Sequence, residues 1–366
     1  MVSRLSAFAA LLGGLFFAGC TPPSTQETPR VNLPPDPDAA VLRIVADPDY
    51  LPTSVTALFE KETGIRVVQT IVQSSWASAV RLLTAPGRED LLIVDEDLVQ
   101  SLSAEGLLEP LDAAAIPNLK NIDPKFLRLF FDPDNRYSVP YLAGCLGIFV
   151  NTQLVSQPPK TFADLFRPEF DQRIFFANTP NDMTEIAWRA RRGREALKIT
   201  EDNLATLEPL MKEWLGRIKY LSNMDPQPAF ASGEVVVGAI WNGDAARILS
   251  QDPKYRWIVP SDPYTFLSSF VCARGSRHKA EAMAFINFLL RPDVSKMVSD
   301  STFFLNPNLA AQKLLTPGQL KNSASFPPFN PSRDLTIGHK GAKDQLLILS
   351  WFDSLRRVPA HREEAK

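Results

Sequence analysis

Histidine and cysteine are scarce in this chain, three of each in 366 residues. His278, His339 and His361 lie far apart with no ligand spacing, so they do not suggest a metal site. There is no glycine-rich phosphate loop, no internal repeat and no run pairing basic with aromatic residues. The formal net charge of -2 leaves no electrostatic footprint for nucleic acid. The apolar run of residues 5–17 is shorter than the roughly 20 residues a membrane-spanning helix needs. What is present is the composition of a globular protein with abundant proline, concentrated in an N-terminal tail and in turns. A chain of this length exceeds the usual single core and is expected to divide into two lobes.

Residues 1–20 carry a targeting signal: Arg4 is the positive start, residues 5–17 the apolar stretch, and Phe17-Ala18-Gly19-Cys20 a small-residue cleavage site. The segment resembles a bacterial lipoprotein signal, which implies that Cys20 is the acylated first residue of the mature chain. The usual leucine three places earlier is Phe17, and a simple secretory signal is the alternative. Residues 21–40, rich in Pro, Thr, Ser and Asp, cannot bury a core and read as an extended tether. An extracytoplasmic address leaves Cys145 and Cys272 as an even pair in an oxidising compartment.

The stretch 137–151 organises the rest. Pro140 excludes a helix interior, and residues 146–150 read as a buried strand. Gly144 and Gly147 leave space for the close approach of another backbone. A second apolar strand is expected over 265–273. Ahead of the first lie strands at 41–46, 65–72 and 90–94, alternating with helices that begin near Thr53, Trp76 and Asp97. Gly64 stops the first helix. This βαβαβα series predicts a parallel sheet flanked by helices, with ligands beyond the carboxyl ends of its strands. Asp47, Asp49, Tyr50, Ser74, Ser75, Asp95 and Asp97 sit there. A second block repeats the alternation, with strands at 173–177 and 235–240 and helices from Asp182, over 201–217, and from Trp241-Asn242-Gly243-Asp244 through Leu249. Arg189, Arg191, Arg192 and Arg194 read as a solvated face near a helix end. Helices at 279–290 and 346–357 follow, the last needing burial of Leu346, Leu347, Leu349 and Trp351. The fold class expected is α/β with two lobes joined by crossing strands.

Several stretches resemble the spermidine/putrescine-binding proteins of bacterial ABC importers. They are Phe288-Leu-Leu-Arg-Pro-Asp-Val294, Asn306-Pro-Asn-Leu-Ala-Ala311, Lys313-Leu-Leu315, Glu62-Thr-Gly-Ile65, Phe131-Asp-Pro-Asp134, Tyr137-Ser-Val-Pro-Tyr141 and Ile240-Trp-Asn-Gly243. The resemblance implies a type II periplasmic-binding-protein-like fold closing over a small molecule. Lobe 1 is then 41–145 plus about 270–303, and lobe 2 is 146–269 plus about 304–366. It further implies that Asp182 and Glu185 pair with polyamine nitrogens, that Trp241 stacks on the ligand, and that Tyr50 and Asp49 follow the first strand into the site. It places Cys145 and Cys272 near the lobe-one ends of the crossing strands, where a disulfide between them is one alternative and two free thiols the other.

The chain departs from this pattern at several site positions. A family tryptophan becomes Asp47, a serine becomes Asp95 and a tyrosine becomes Asp97. On the second crossing strand a tryptophan and an aspartate become Phe266 and Ser268, and a later tyrosine becomes Phe304. An aromatic cage and one inner acid are thus expected to be lost, with acids gained on lobe one. Capping of the following helix is the alternative role for Asp95 and Asp97. The function implied is an extracytoplasmic lipoprotein, a monomer without cofactor or metal. It captures a small cationic solute, a polyamine first, for an ABC permease and its ATPase. The rivals are a different small solute, a binding lipoprotein with no permease, and an enzyme with Cys145 as nucleophile. The enzyme reading suffers because no histidine or lysine adjoins Cys145 to activate it.

Overall fold

The computed structural model describes residues 40–72, 74–193, 197–261, 263–335 and 342–357. The signal, Cys20, most of the tether, Arg194 and the chain's last residues lie outside these.

The first lobe begins as the sequence pattern predicts. Strands β1 (Val41–Ala46), β2 (Arg66–Ile71) and β3 (Leu91–Val94) alternate with helices α1 (Thr53–Thr63), α2 (Ser75–Thr84) and α3 (Glu96–Ala104). β1 pairs in parallel with both β2 and β3. All four residues of β3 are buried, as expected of a strand with helices on both faces. Gly64 ends α1 in the left-handed region at φ 73°, the conformation that favours glycine. α7 (Lys279–Leu289) and α8 (Pro292–Thr302) complete this core, where Phe59 meets Phe285 and Phe288 edge-on.

The central stretch is one strand, β5 (Ser138–Asn151), buried along all of its 14 residues. It runs antiparallel to β10 (Tyr264–Ala273), and their register slips between Ser268 and Ser269, where Tyr141 is the extra residue. The bulge falls beside Pro140, which has no N–H to give to the ladder. One ten-stranded sheet runs through both lobes, its path β2-β1-β3-β10-β5-β8-β6-β7, with the two-residue β4 (Leu108–Glu109) on β10 and β9 (Tyr255–Ile258) on β5. The second lobe holds β6 (Ile174–Phe176), β7 (Ile218–Leu221) and β8 (Val237–Trp241), with helices α4 (Pro180–Arg192), α5 (Glu201–Arg217) and α6 (Asn242–Leu249). Helix α9 (Ala342–Arg357) packs on α4 and α5. β5 passes from one core to the next between Ala143, packed with β1 and β3, and Cys145, packed with Phe149 and Phe230. The segment after α8 is shared rather than lying wholly with the second lobe: Leu305, Phe329 and Leu335 join the first core, Ala324 and Phe352 the others.

Three expectations are corrected here. Cys145 and Cys272 do not bridge; both are buried free thiols. Cys145 registers with Thr265, and Cys272 lies seven residues farther along β10, roughly 23 Å at strand rise, far beyond disulfide reach. The space at Gly144 and Gly147 is filled by side chains rather than another backbone. A Cβ on Gly144 would lie 1.9 Å from Asn242 Oδ1, and one on Gly147 would lie 2.3 Å from the Trp257 ring. On α9 the buried face is Gln345, Ile348, Phe352 and Leu355, while Leu346 is 42% exposed. No helix among the described residues is long and apolar enough to cross a membrane.

Candidate ligand-binding cleft

A cavity of about 580 Å³ opens at the carboxyl ends of β1, β3, β6 and β8, where loops from both lobes converge. Carboxylates line it from either side: Asp47, Asp49, Asp95, Glu96 and Asp97 from the first lobe, Asp182, Asp225 and Asp244 from the second. Among the described residues Arg247 is the sole lysine or arginine in its wall.

β1 and β3 are neighbours in the sheet, so the residues that follow them, Asp47 and Asp95, emerge side by side. Asp95 occupies the N-cap position of α3 but makes no capping bond. Its oxygens are taken instead by two hydroxyls: Ser75 Oγ donates to Oδ2 at 2.7 Å and Ser268 Oγ to Oδ1 at 2.6 Å. Burial raises the Asp95 pKa and the two hydroxyls draw it partly back. Asp47 has no such help. Its Oδ1 is buried without a hydrogen-bond partner, and burial, then the charge of Asp95, pushes its pKa up to about 8. Glu96 Oε2 accepts the Leu267 N–H at 2.9 Å, closing the ladder where β3 leaves β10. Burial, then Asp97 and Asp95, holds that carboxyl well above its ordinary value.

Two tyrosines flank this floor. Burial, followed by the charges of Asp95 and Asp47, keeps the Tyr50 hydroxyl from ionising. Across the cleft, burial followed by the charge of Asp182 holds the Tyr264 phenol protonated. Aromatic rings form a continuous row between the lobes. Tyr264 meets Trp241 at 6.5 Å between centroids, Trp241 meets Phe266 at 5.3 Å, Phe266 meets Phe304 at 5.5 Å, and Phe304 meets Tyr50 at 5.5 Å. Gly243 permits this: a Cβ there would lie 2.8 Å from the Phe304 ring. The cleft therefore offers ring faces and edges to methylenes and carboxylates to positive charge, with no cluster among the described residues fit to hold a metal ion. Unpaired charge is costly where water is scarce, so an occupant with ammonium groups and an apolar chain suits this wall.

Residues 55–328 match a family described as bacterial extracellular solute-binding protein. The chain belongs to that family. It is 30% identical over 284 residues to the spermidine/putrescine-binding periplasmic protein of Salmonella typhimurium, covering 76% of this chain and 81% of the relative. Among solved structures, the spermidine/putrescine ABC transporter substrate-binding protein of Streptococcus pneumoniae superposes with a TM-score of 0.69 at 25% identity, over 87% of this chain and 100% of that one. A lipoprotein of Treponema pallidum superposes with a TM-score of 0.71 at 23% identity, over 86% and 99%. The fold is that of type II periplasmic binding proteins.

In this solute-binding protein, Asp49, Tyr50, Asp95, Asp97, Asp182, Trp241, Phe266 and Phe304 come together around the cavity. Ser268 is fully buried and absent from the wall, its hydroxyl donating to Asp95. Glu185 is not in the wall. It is 4% exposed, and its carboxylate accepts from Arg189 Nε at 3.2 Å one helical turn on. Arg189 is accordingly no solvated residue: its side chain is 14% exposed, and Nη1 donates to the Pro263 carbonyl at 3.1 Å. The aromatic lining is not lost either, since Phe266 and Phe304 sit in the row of rings, without polar edges. Sequence reasoning missed Tyr264, Asp225, Asp244, Arg247 and Gln345. Tyr264 opens a strand whose apolar run alone drew notice. Gln345 lines the cleft hydrogen-bonded to Asn181, on a helix far away in sequence. Burial pushes the Cys145 thiol up to about 12, the opposite of the lowered pKa an activated nucleophile needs.

Proposed function

We propose that this protein captures a polyamine or closely similar cationic solute outside the cytoplasm and hands it to an ABC permease driven by its ATPase. The observation that carries this reading is the pairing of carboxylates from both lobes with a continuous row of aromatic rings in one cleft. Ring faces attract ammonium groups by about 0.5–2 kcal/mol each, and charge-assisted bonds to carboxylates supply about 1.5–3 kcal/mol each. Asp182 with Tyr264 forms one anionic end and Asp47 with Asp95 the other. The names of the relatives agree with this ligand class. Cys20 at the end of an apolar signal supports a lipid anchor, with the tether of residues 21–40 holding the lobes clear of the membrane. The lobes act as a monomer.

Mass spectrometry of the solute released from purified, leaderless protein, followed by calorimetry with a panel of diamines and triamines, tests the reading. Saturable binding of at least one polyamine is expected. No binding of any amine, with a neutral or anionic solute found instead, would overturn the ligand class.

A further inference from the structure

Arg247 is the one cation among the described cleft-lining residues, and its guanidinium is already engaged. On α6 it reaches back toward the loop after β7, where Nη2 donates to Asp225 Oδ1 at 2.7 Å, and the same Nη2 donates to Asp244 Oδ1 on its own helix at 3.3 Å. Nη1 donates to Gln227 Oε1 at 2.8 Å. Two carboxylates around one guanidinium leave this patch with a net negative charge. Every other charged side chain among the described residues of the wall is a carboxylate. An incoming acid group would therefore find no free cation among the described residues of this wall, and the single group able to receive it in a bidentate fork is occupied.

We propose that Asp225 and Asp244 mask Arg247 so that the cleft refuses carboxylates: its ligand is an amine bearing no acid group, and the matching amino acids are turned away. This rests on the cationic-ligand reading above. Selectivity here comes from an element that repels the competitor as well as from contacts that attract the ligand. The mask is also adjustable, because Asp225 is half exposed and can change without disturbing a core.

Matched pairs that differ by one carboxylate provide the test: putrescine against ornithine, cadaverine against lysine, agmatine against arginine. Calorimetry on the native protein should show each bound amine favoured by roughly a hundredfold or more, given the cost of opposing like charges. In the Asp225→Asn/Asp244→Asn variant, shown folded by a thermal melt, Arg247 is unmasked and that ratio should narrow by about tenfold or more. Adding Arg247→Met to the same variant should restore the ratio. A general loss of affinity cancels, since the readout is the ratio within a pair. Equal binding of amine and amino acid by the native protein would overturn the proposal while leaving the cationic reading intact. So would an unchanged ratio in the double variant. Failure of every amine to bind the native protein is a different result and would remove the reading underneath.

Discussion

Asp95 and Ser268 face each other across a single hydrogen bond, Ser268 Oγ donating to Asp95 Oδ1 at 2.6 Å. The resemblance to the polyamine-binding proteins leads one to expect a serine at the first position and an aspartate at the second. The two residue types are exchanged, so the acid missing from the crossing strand is matched by one on the facing loop. Asp95→Ser alone should therefore weaken polyamine binding by roughly 2–5 kcal/mol, as for a carboxylate that meets the ligand. Asp95→Ser combined with Ser268→Asp should recover most of that loss. Calorimetry on the single and double variants measures the coupling; additive losses would mean the two positions do not share one role.

The half-buried Asp47 makes stability and binding depend on pH in opposite directions. Its pKa of about 8 lies above the unfolded carboxylate value, so the folded chain holds the extra proton between about pH 4 and 8. Stability of the empty protein should fall as pH rises through that window, at up to about 1.4 kcal/mol per pH unit for this group. Asp95 and Glu96, also shifted upward, act in the same sense. Glu109 and Asp293, held low by hydrogen bonds from Lys279 and Arg291, act oppositely at more acid pH. A cation beside Asp47 favours its charged form, so binding should release a proton and tighten as pH rises toward 8. Thermal melts across pH, and calorimetry in buffers of different ionisation enthalpy, report both effects; Asp47→Asn should flatten them.

Asp182 and Glu185 should part company under mutation. Asp182 lines the cleft close to Tyr264, so Asp182→Asn should cost roughly 2–5 kcal/mol of binding. Glu185→Gln removes the buried charge facing the partly buried Arg189. It should lower stability by about 3 kcal/mol and leave polyamine affinity nearly unchanged. Chemical denaturation beside calorimetry separates the two, and a large affinity loss in Glu185→Gln would return that residue to the site.

Gly144→Ala should be disruptive although it adds one methyl group. The new Cβ falls 1.9 Å from Asn242 Oδ1, and that oxygen accepts the Cys145 N–H at 3.1 Å while Asn242 Nδ2 donates to the Ala324 carbonyl at 3.1 Å. Displacing Asn242 breaks both bonds at the point where β5 changes cores. A cost of about 1–3 kcal/mol is expected from the overpacking alone, read as a lowered midpoint in urea.

Elements were legible where periodicity and punctuation agree. The strand Val41–Ala46 and the helix Glu201–Arg217 have the bounds read from their pattern, and Gly64 ends its helix as expected. β5 is longer than its apolar run because a bulge absorbs Pro140, and a bulge depends on the partner strand. The face of α9 misled because Gln345 is buried by its bond to Asn181, an interaction between distant segments. In the cleft, single residues at strand ends such as Asp95 and Trp241 could be found from position. Their partners could not: Ser268 is 173 residues from Asp95, and nothing in sequence marks Asp225 as a companion of Arg247, although Asp244 lies at i,i+3 spacing from it on the same helix.

The two unbridged thiols give the molecule a built-in pair of reporters. Cys272 sits in the core of the first lobe and Cys145 in that of the second, each almost wholly shielded from solvent. A thiol reagent can reach either one only when its own lobe opens. Peptide-resolved labelling over time would thus follow the opening of each half separately, without introducing a single foreign residue. Folding needs no oxidant, so a leaderless chain should reach the same state in a reducing cytoplasm as outside it.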